Sequence, residues 1–283
     1  MNDLRTRLAN GGSVLMPGSW DALSSRLAAD AGFSTVFLSG YCVSGTQLGL
    51  PDYGFLTQTE MVDQARRVTA ANPGLNVVVD GDTGYGNPLN VIRTVELWEQ
   101  AGAAGVFLED QVWPKRCGHM AGKQVVPADE WLAKLRAAVD HRGDLLVCAR
   151  TDARAANGLD DAIERGKAAV DTGVDAVFVE APETIEEMER IAAEVPAPVL
   201  VANMVEAGRT PLLTPDELTD LGFRLVVSPL TSLFSMVKAI RGSLEILASA
   251  GSLRDDLDRL VSFDDFTEIV GLPDIAATDE RYR

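Results

Sequence analysis

Residues 87–108 read NPLNVIRTVELWEQAGAAGVFL, and this one stretch holds a complete structural unit. Asn87 is a capping residue, and Pro88 fits the first helical position, where no amide hydrogen is needed. Val91, Val95 and Trp98 then share one face at helical spacing. Ala101-Gly102 predicts the stop, because glycine takes the left-handed backbone of a helix end without steric cost. Gly105 to Leu108 follows as a short continuous apolar run, the form of a strand covered on both faces.

The same unit recurs along the chain. Runs rich in β-branched residues occur at Ser13 to Met16, Thr35 to Leu38, Asn76 to Val79, Gly105 to Leu108, Leu145 to Ala149, Ala176 to Val179, Pro198 to Ala202 and Arg224 to Val227. Segments with helical periodicity lie between them. Thr57 with Glu60, and Thr214 with Glu217, have capping-box spacing. Further helix stops are expected at Ala31-Gly32, Thr172-Gly173 and Leu221-Gly222. A doubly wound sheet shows this alternation with fewer strands; eight repeats favour an α/β fold of the (β/α)8, TIM-barrel type. Residues 1–251 are assigned to the barrel, and 252–283 to a C-terminal helical extension and tail, with Leu253 to Leu260 read as a charged helix. No linker marks a second domain, and the tail is expected to pack on a neighbouring subunit.

Composition narrows the partners. A net charge of −17 argues against nucleic acid and against anionic membrane surfaces. An anionic substrate must therefore be held by local cations, helix N-termini or a metal. Three cysteines, odd in number and widely spaced, make no disulfide framework and fit a reducing cytoplasm. The opening MNDLRTRLANGG is polar, without the apolar core of a signal peptide, and no window approaches a membrane span.

In a parallel barrel the chemistry gathers at the carboxyl ends of strands. Those ends carry Ser39-Gly40-Tyr41, Asp80 and Asp82, Glu109, Arg150, Glu180, Asn203 and Pro229. The Asp80 to Gly86 segment, DGDTGYG, reads equally as an Asx-type turn or as part of a metal site. With Asp52 and Glu109 added, four carboxylates crowd one rim, and hard oxygen ligands select Mg2+, with Mn2+ as a substitute, over zinc. Beyond Glu109 lies Lys115-Arg116-Cys117-Gly118-His119, a thiol among cations, read as a mobile catalytic loop. Cys42 and Cys148 read as structural, and His141 as a solvated helix cap. Tyr41 is open between packing and substrate contact.

Taken in order, these residues resemble the isocitrate lyase/phosphoenolpyruvate mutase superfamily over nearly the whole chain. The matching elements are Leu48-Gly49-Leu50-Pro51-Asp52, the Asp80-x-Asp82 turn with Gly84-Tyr85-Gly86, and Leu108-Glu109-Asp110-Gln111. They continue with the KRCGH run, Ala149-Arg150-Thr151-Asp152-Ala153, Glu180-Ala181, and Asn203-Met204 leading to Thr210-Pro211. The pattern looks most like the branch of 2-methylisocitrate lyase, dimethylmalate lyase and oxaloacetate hydrolase, although carboxyphosphonoenolpyruvate mutases also carry a KRCGH-like loop. The resemblance implies a barrel whose last helix is swapped between subunits, a homotetramer, and an essential Mg2+. It further implies that Asp80 holds the ion directly, with Asp52, Asp82 and Glu109 helping, often through water, and that the Cys117 loop closes over substrate.

The implied chemistry is a Mg2+-dependent carbon–carbon lyase acting on a small 2-hydroxy di- or tricarboxylate and releasing an α-keto acid such as pyruvate. In that scheme Arg150 clamps a carboxylate, while Ser39, Gly40, Tyr41, Gly118, Asn203 and Pro229 shape the pocket. Cys117 protonates the departing carbanion, and Glu180 orients His119 or exchanges a proton with it. The base is open among Tyr41, Tyr85 and a metal-bound water. Tyr41 and the loop Val205-Glu206-Ala207-Gly208-Arg209 depart from the pattern, and the ring at 41 narrows the pocket. An oxaloacetate-type hydrolase, a P–C mutase and a non-catalytic ligand-binding barrel are the competing readings.

Overall fold

The structure, a computed structural model, describes residues 3–118 and 122–283. Eight parallel strands close into a barrel in sequence order. They are β1 (Val14–Ser19), β2 (Thr35–Leu38), β3 (Asn76–Asp80), β4 (Gly105–Glu109), β5 (Leu146–Thr151), β6 (Ala176–Val179), β7 (Leu200–Asn203) and β8 (Phe223–Ser228). Closure is made by β8 pairing with β1, Leu15 opposite Val226. Every predicted run becomes a strand, and the (β/α)8 expectation holds.

The helices of the first compact unit, residues 1–231, are α1 (Asp3–Ala9), α2 (Ala22–Asp30), α3 (Gly40–Val43), α4 (Gln58–Ala71) and α5 (Pro88–Gln100). After them come α6 (Ala128–His141), α7 (Ala153–Ala156), α8 (Leu159–Val170), α9 (Ile185–Glu194) and α10 (Pro215–Asp220). Local chemistry sets their ends. The Thr57/Glu60 and Thr214/Glu217 capping boxes form, and Asn87 caps α5 with Pro88 in its first turn. Gly32, Gly102, Gly173 and Gly222 all take positive φ where helices stop. Val91, Val95 and Trp98 are buried, as their shared face predicts.

Two features departed from the pattern. β1 runs three residues past its apolar run, where Pro17 pairs with Ser228 of β8 and Gly18 and Ser19 pair with Phe37 and Leu38 of β2. A Cβ on Gly18 would lie 2.5 Å from the carbonyl carbon of Pro229. Gly18→Ala is therefore expected to cost about 3 kcal/mol, the upper end of overpacking penalties, read as a lowered urea midpoint. Secondly, the polar N-terminus forms α1, whose Leu4 and Leu8 join Val14, Met16, Phe37, Phe107, Cys148 and Phe178 in the barrel core. Two leucines four residues apart are too brief a pattern to announce a helix from sequence.

A second compact unit spans 232–283. It holds most of α11 (Thr231–Ala250), then α12 (Phe263–Ile269) and α13 (Leu272–Arg281). The stretch 253–260, expected to be helical, contains only a three-residue 3-10 turn, Leu257–Arg259. Phe234, Val237, Ile240, Leu244 and Leu247 are exposed along α11. Among the described residues no helix is long and apolar enough to cross a membrane.

Candidate active site

The strand ends place the expected groups on one rim. Asp80, Glu109 and Asn203 are the last residues of β3, β4 and β7; Arg150 is the next-to-last residue of β5, and Glu180 directly follows β6. Ser39 caps α3, its hydroxyl accepting from the Cys42 amide at 3.3 Å. The segment beyond it is helical and runs into a π-helical turn at Ser44–Leu48, closed by Gly49 at φ +64°. Gly40 faces the acids closely: a Cβ there would stand 2.9 Å from Asp80 Oδ2. Pro229 is buried, and its carbonyl accepts from the Cys42 thiol at 3.2 Å. Burial pushes that thiol up to about 12, which suits a packing role for Cys42.

The acids meet around a lysine. The buried Lys115 ammonium lies 2.6 Å from Asp52 Oδ1 and 2.8 Å from Asp82 Oδ1. The Asp82 amide donates to Asp80 Oδ1 at 3.2 Å. Glu109 Oε2 stands 3.3 Å from Arg150 Nη1, yet neither Glu109 oxygen has a hydrogen bond among the described residues. Burial raises the Glu109 carboxyl well above the usual range, with Arg150 opposing it. It likewise pushes Asp82 up to about 7, although Lys115 opposes the shift. Desolvation and the neighbouring acids also hold the Tyr85 phenol neutral, its pKa raised well above the ordinary value.

Charge decides what such a cluster lacks. Asp52, Asp80, Asp82 and Glu109 interact through space around Lys115, and the only other cation facing them among the described contacts, Arg150, is already engaged by Asp152. Unpaired buried carboxylates are costly, and a divalent cation is the economical counter-charge. Among the described residues no three acids already form a metal cage. An ion here would be held by one or two carboxylates and otherwise by water, as Mg2+ commonly is. The donor set fits.

Beside the acids, Arg150 is fixed by Asp152, which accepts from its Nε at 3.0 Å and its Nη2 at 3.3 Å. Asp152 also accepts from the buried Lys123 ammonium at 2.5 Å. Its own amide donates to Asp110 Oδ1 at 2.8 Å, and Asp110 further accepts from Thr151 and Arg165. Burial works to raise the Asp152 carboxyl, but Arg150 and then Lys123 outweigh it and bring it down to about 2. A folded value below the unfolded one means stability that is full above about pH 4 and is lost as pH falls towards about 2. The loss amounts to about 2 kcal/mol. Asp152→Asn is expected to flatten that acid limb of a Tm-against-pH curve. At neutral pH it should lower stability by about 3–5 kcal/mol, because two buried cations lose their partner.

The thiol loop is tied to this floor at several points. The Gln111 side chain grips Arg116, donating to its carbonyl at 2.8 Å and accepting from its amide at 2.9 Å. Gln111 also bridges Val125 in antiparallel fashion, and the Val112 amide donates to the Gln124 carbonyl at 2.8 Å. Lys123 donates to the Gly118 carbonyl, so one ammonium joins the loop to Asp152. Gly118 sits so close that a Cβ would stand 2.6 Å from Glu180 Cδ and 2.7 Å from Arg150 Nη2. Cys117 is half-buried and lies near enough to Tyr41 for their charges to interact. Lys115, expected to serve the thiol, shares its charge with Asp52 and Asp82. His119 lies outside the described residues.

Glu180 is fully buried and accepts from Asn203 Nδ2 at 3.3 Å. Arg209 pairs with Glu183 at 3.0 Å on the surface. Lys123, Asp152, Asp110 and Gln111 were not singled out by sequence reasoning. The signal present was weak: Asp110, Gln111 and Asp152 stand inside the quoted motifs, whereas Lys123 has no pattern around it.

This arrangement agrees with what the chain is similar to. Residues 4–248 match the family described as phosphoenolpyruvate phosphomutase. The chain belongs to the phosphoenolpyruvate mutase/isocitrate lyase superfamily. Superfamily relatives include the petal death protein of Dianthus caryophyllus, 50% identical over 92% of this chain and 82% of the relative. The chloroplastic carboxyvinyl-carboxyphosphonate phosphorylmutase of Arabidopsis thaliana is 47% identical, covering 96% and 81%. The 2,3-dimethylmalate lyase of Eubacterium barkeri is 42% identical, covering 99% and 96%.

Solved superfamily structures superpose closely. A 2,3-dimethylmalate lyase crystal structure gives a TM-score of 0.94 at 33% identity, covering 99% of this chain and 94% of the other. Oxaloacetate acetylhydrolase with 3,3-difluorooxalacetate gives 0.93 at 35%, covering 99% and 95%. Phosphonopyruvate hydrolase in complex with oxalate and Mg++ gives 0.88 at 26%, covering 99% and 97%. The protein is thus an enzyme of this superfamily, whose members are generally dependent on divalent metals.

Proposed function

We propose that the chain is a Mg2+-dependent carbon–carbon lyase that cleaves a small 2-hydroxy di- or tricarboxylate to an α-keto acid and a carboxylic acid. The observation that carries this reading is the meeting of the thiol loop with the acid rim: Gly118 abuts Arg150 and Glu180, one residue from Cys117. Asp80, Asp82, Asp52 and Glu109 would hold the ion. When bound, it would polarise the substrate oxygen and its neighbouring carboxylate.

The remaining work falls to the chain's own side chains. Asp152 holds Arg150 along its Nε–Nη2 edge, and Nη1, which faces Glu109 at 3.3 Å, would turn to a substrate carboxylate once an ion engages Glu109. Asn203, fixed by Glu180, and the close backbone of Gly40 orient the same acid. A base removes the hydroxyl proton; of the candidates Tyr41, Tyr85 and a water at the acid rim, the water suits best, because burial raises the pKa of both phenols and keeps them protonated. The C–C bond breaks, and Cys117 Sγ–H gives its proton to the carbanion of the departing acid. His119, two residues on in the sequence, would restore that proton.

Mass-spectrometric detection of pyruvate, glyoxylate or succinate released from a panel of 2-hydroxy acids with Mg2+ tests the reading. Silence across the whole panel counts against a lyase. The phosphorylmutase and acetylhydrolase relatives favour a second reading, a P–C mutase or an oxaloacetate-type hydrolase. Phosphorus NMR on candidate phosphonates, and acetate release from oxaloacetate, separate these. The exposed apolar stripe on α11 supports a homotetramer in which that helix is exchanged between subunits. Three free thiols suit the reducing cytoplasm.

A further inference from the structure

The loop that carries Cys117 folds back beside itself before it reaches α6. Gln111 bridges Val125, and a Cβ on Gly122 would stand 2.6 Å from Arg116 Nη1, so the outgoing and returning limbs lie together. Lys123 belongs to the returning limb. Its side chain is fully buried, and its ammonium reaches back to the Gly118 carbonyl and on to Asp152 Oδ1 at 2.5 Å. A lysine is seldom buried so completely, because its charge and its donors must then be answered inside the protein. Here one donor is used on the loop and another on the floor of the rim.

The carboxylate it meets is the one that fixes Arg150. Asp152 Oδ2 accepts from Arg150 Nε at 3.0 Å, whereas Oδ1 lies 2.5 Å from Lys123 and 3.3 Å from Arg150 Nη2. Coulomb attraction falls with distance, so Oδ1 is answered mainly by the lysine. Asp152 is thus held between two cations instead of neutralising Arg150 alone, and the guanidinium keeps positive charge for an incoming oxyanion. Glycine at 118 completes the arrangement, since a Cβ there would stand 2.7 Å from Arg150 Nη2. The ammonium that shares Asp152 with Arg150 therefore also holds the residue beside Cys117 against it.

We propose that Lys123 is a positioning residue that couples closure of the thiol loop to the availability of Arg150 for a substrate carboxylate. The inference rests on the proposed function in one respect, that Cys117 and Arg150 serve the same substrate. The contacts run from the Gly118 carbonyl through Lys123 and Asp152 to Arg150, so a change at either end is felt at the other. Without the ammonium, Asp152 would draw wholly on Arg150, and Gly118 would lose its tether.

Lys123→Met removes the charge and the donor at similar length. With Mg2+ present and oxalate as the probe, calorimetric titration of the full-length variant is expected to show affinity weakened at least tenfold. Iodoacetamide should alkylate Cys117 at least tenfold faster than in the wild type, read by mass spectrometry against the buried Cys42 and Cys148. Oxalate, which should slow alkylation of the wild-type thiol, should no longer protect it. Turnover number should fall about a hundredfold, the usual effect of a misplacement of about 1 Å. A lysine with a merely structural role would lower the Tm but leave oxalate affinity and alkylation rate of the folded variant unchanged, and that result overturns the inference. Faster alkylation with wild-type oxalate affinity overturns it too, as does a wild-type protein that takes up no oxalate. Should Lys123→Met fail to fold, Lys123→Gln decides: it keeps a neutral donor for the carbonyl, and wild-type oxalate affinity there refutes the coupling. Neither binding nor alkylation needs turnover, so a silent substrate panel, which counts against the lyase reading, leaves this test standing.

Discussion

Cys117→Ala is expected to lower turnover on the true substrate by about two to four orders of magnitude, the usual worth of a positioned general acid. The thiol is half-buried and carries no disulfide. Its loop is anchored at Gln111–Arg116 and Lys123–Gly118, contacts that the substitution leaves in place. The alanine variant should therefore melt at the wild-type temperature and bind Mg2+ with unchanged affinity. Cys117→Ser is a sharper probe, because it keeps the shape and offers a much weaker acid. A variant that turns over at near-wild-type rate removes the sulfur from the mechanism.

Thorough chelation should abolish activity and lower the Tm together, and added Mg2+ or Mn2+ should restore both. The thermal effect follows from the packing of the rim. Glu109 has both oxygens buried without a hydrogen bond, and Asp82 is pushed up to about 7 by burial. A cation that binds only the folded chain stabilises it by mass action, by about 2.7 kcal/mol at a hundredfold excess over its Kd. Calorimetry with and without chelator reads this effect separately from turnover. Full activity in chelator, or a Tm indifferent to Mg2+, refutes an ion among these acids.

Much of this was legible in the residues. The unit at 87–108 already contained a cap, a buried face, a glycine stop and a strand, and all four formed as read. Glu109 and Asp80 were recognisable as strand ends because each directly follows an apolar run. By contrast, the helix after β2 was missed because Gly40 and Gly45 are poor helix formers in isolation, and the capping hydroxyl of Ser39 outweighs that preference only in context. The 253–260 stretch erred the other way, since charge periodicity without a buried face does not hold a helix.

Sequence alone determined the barrel, its strand order and which side chains stand at strand ends, because caps, stops and apolar periods act over a few neighbouring residues. Only the tertiary structure decided who pairs with whom on the rim. Lys115 joining Asp52 to Asp82, and Lys123 joining Gly118 to Asp152, link distant segments. Such pairings arise where closure of the sheet brings separate loops into one desolvated space, and there unmatched charge costs most.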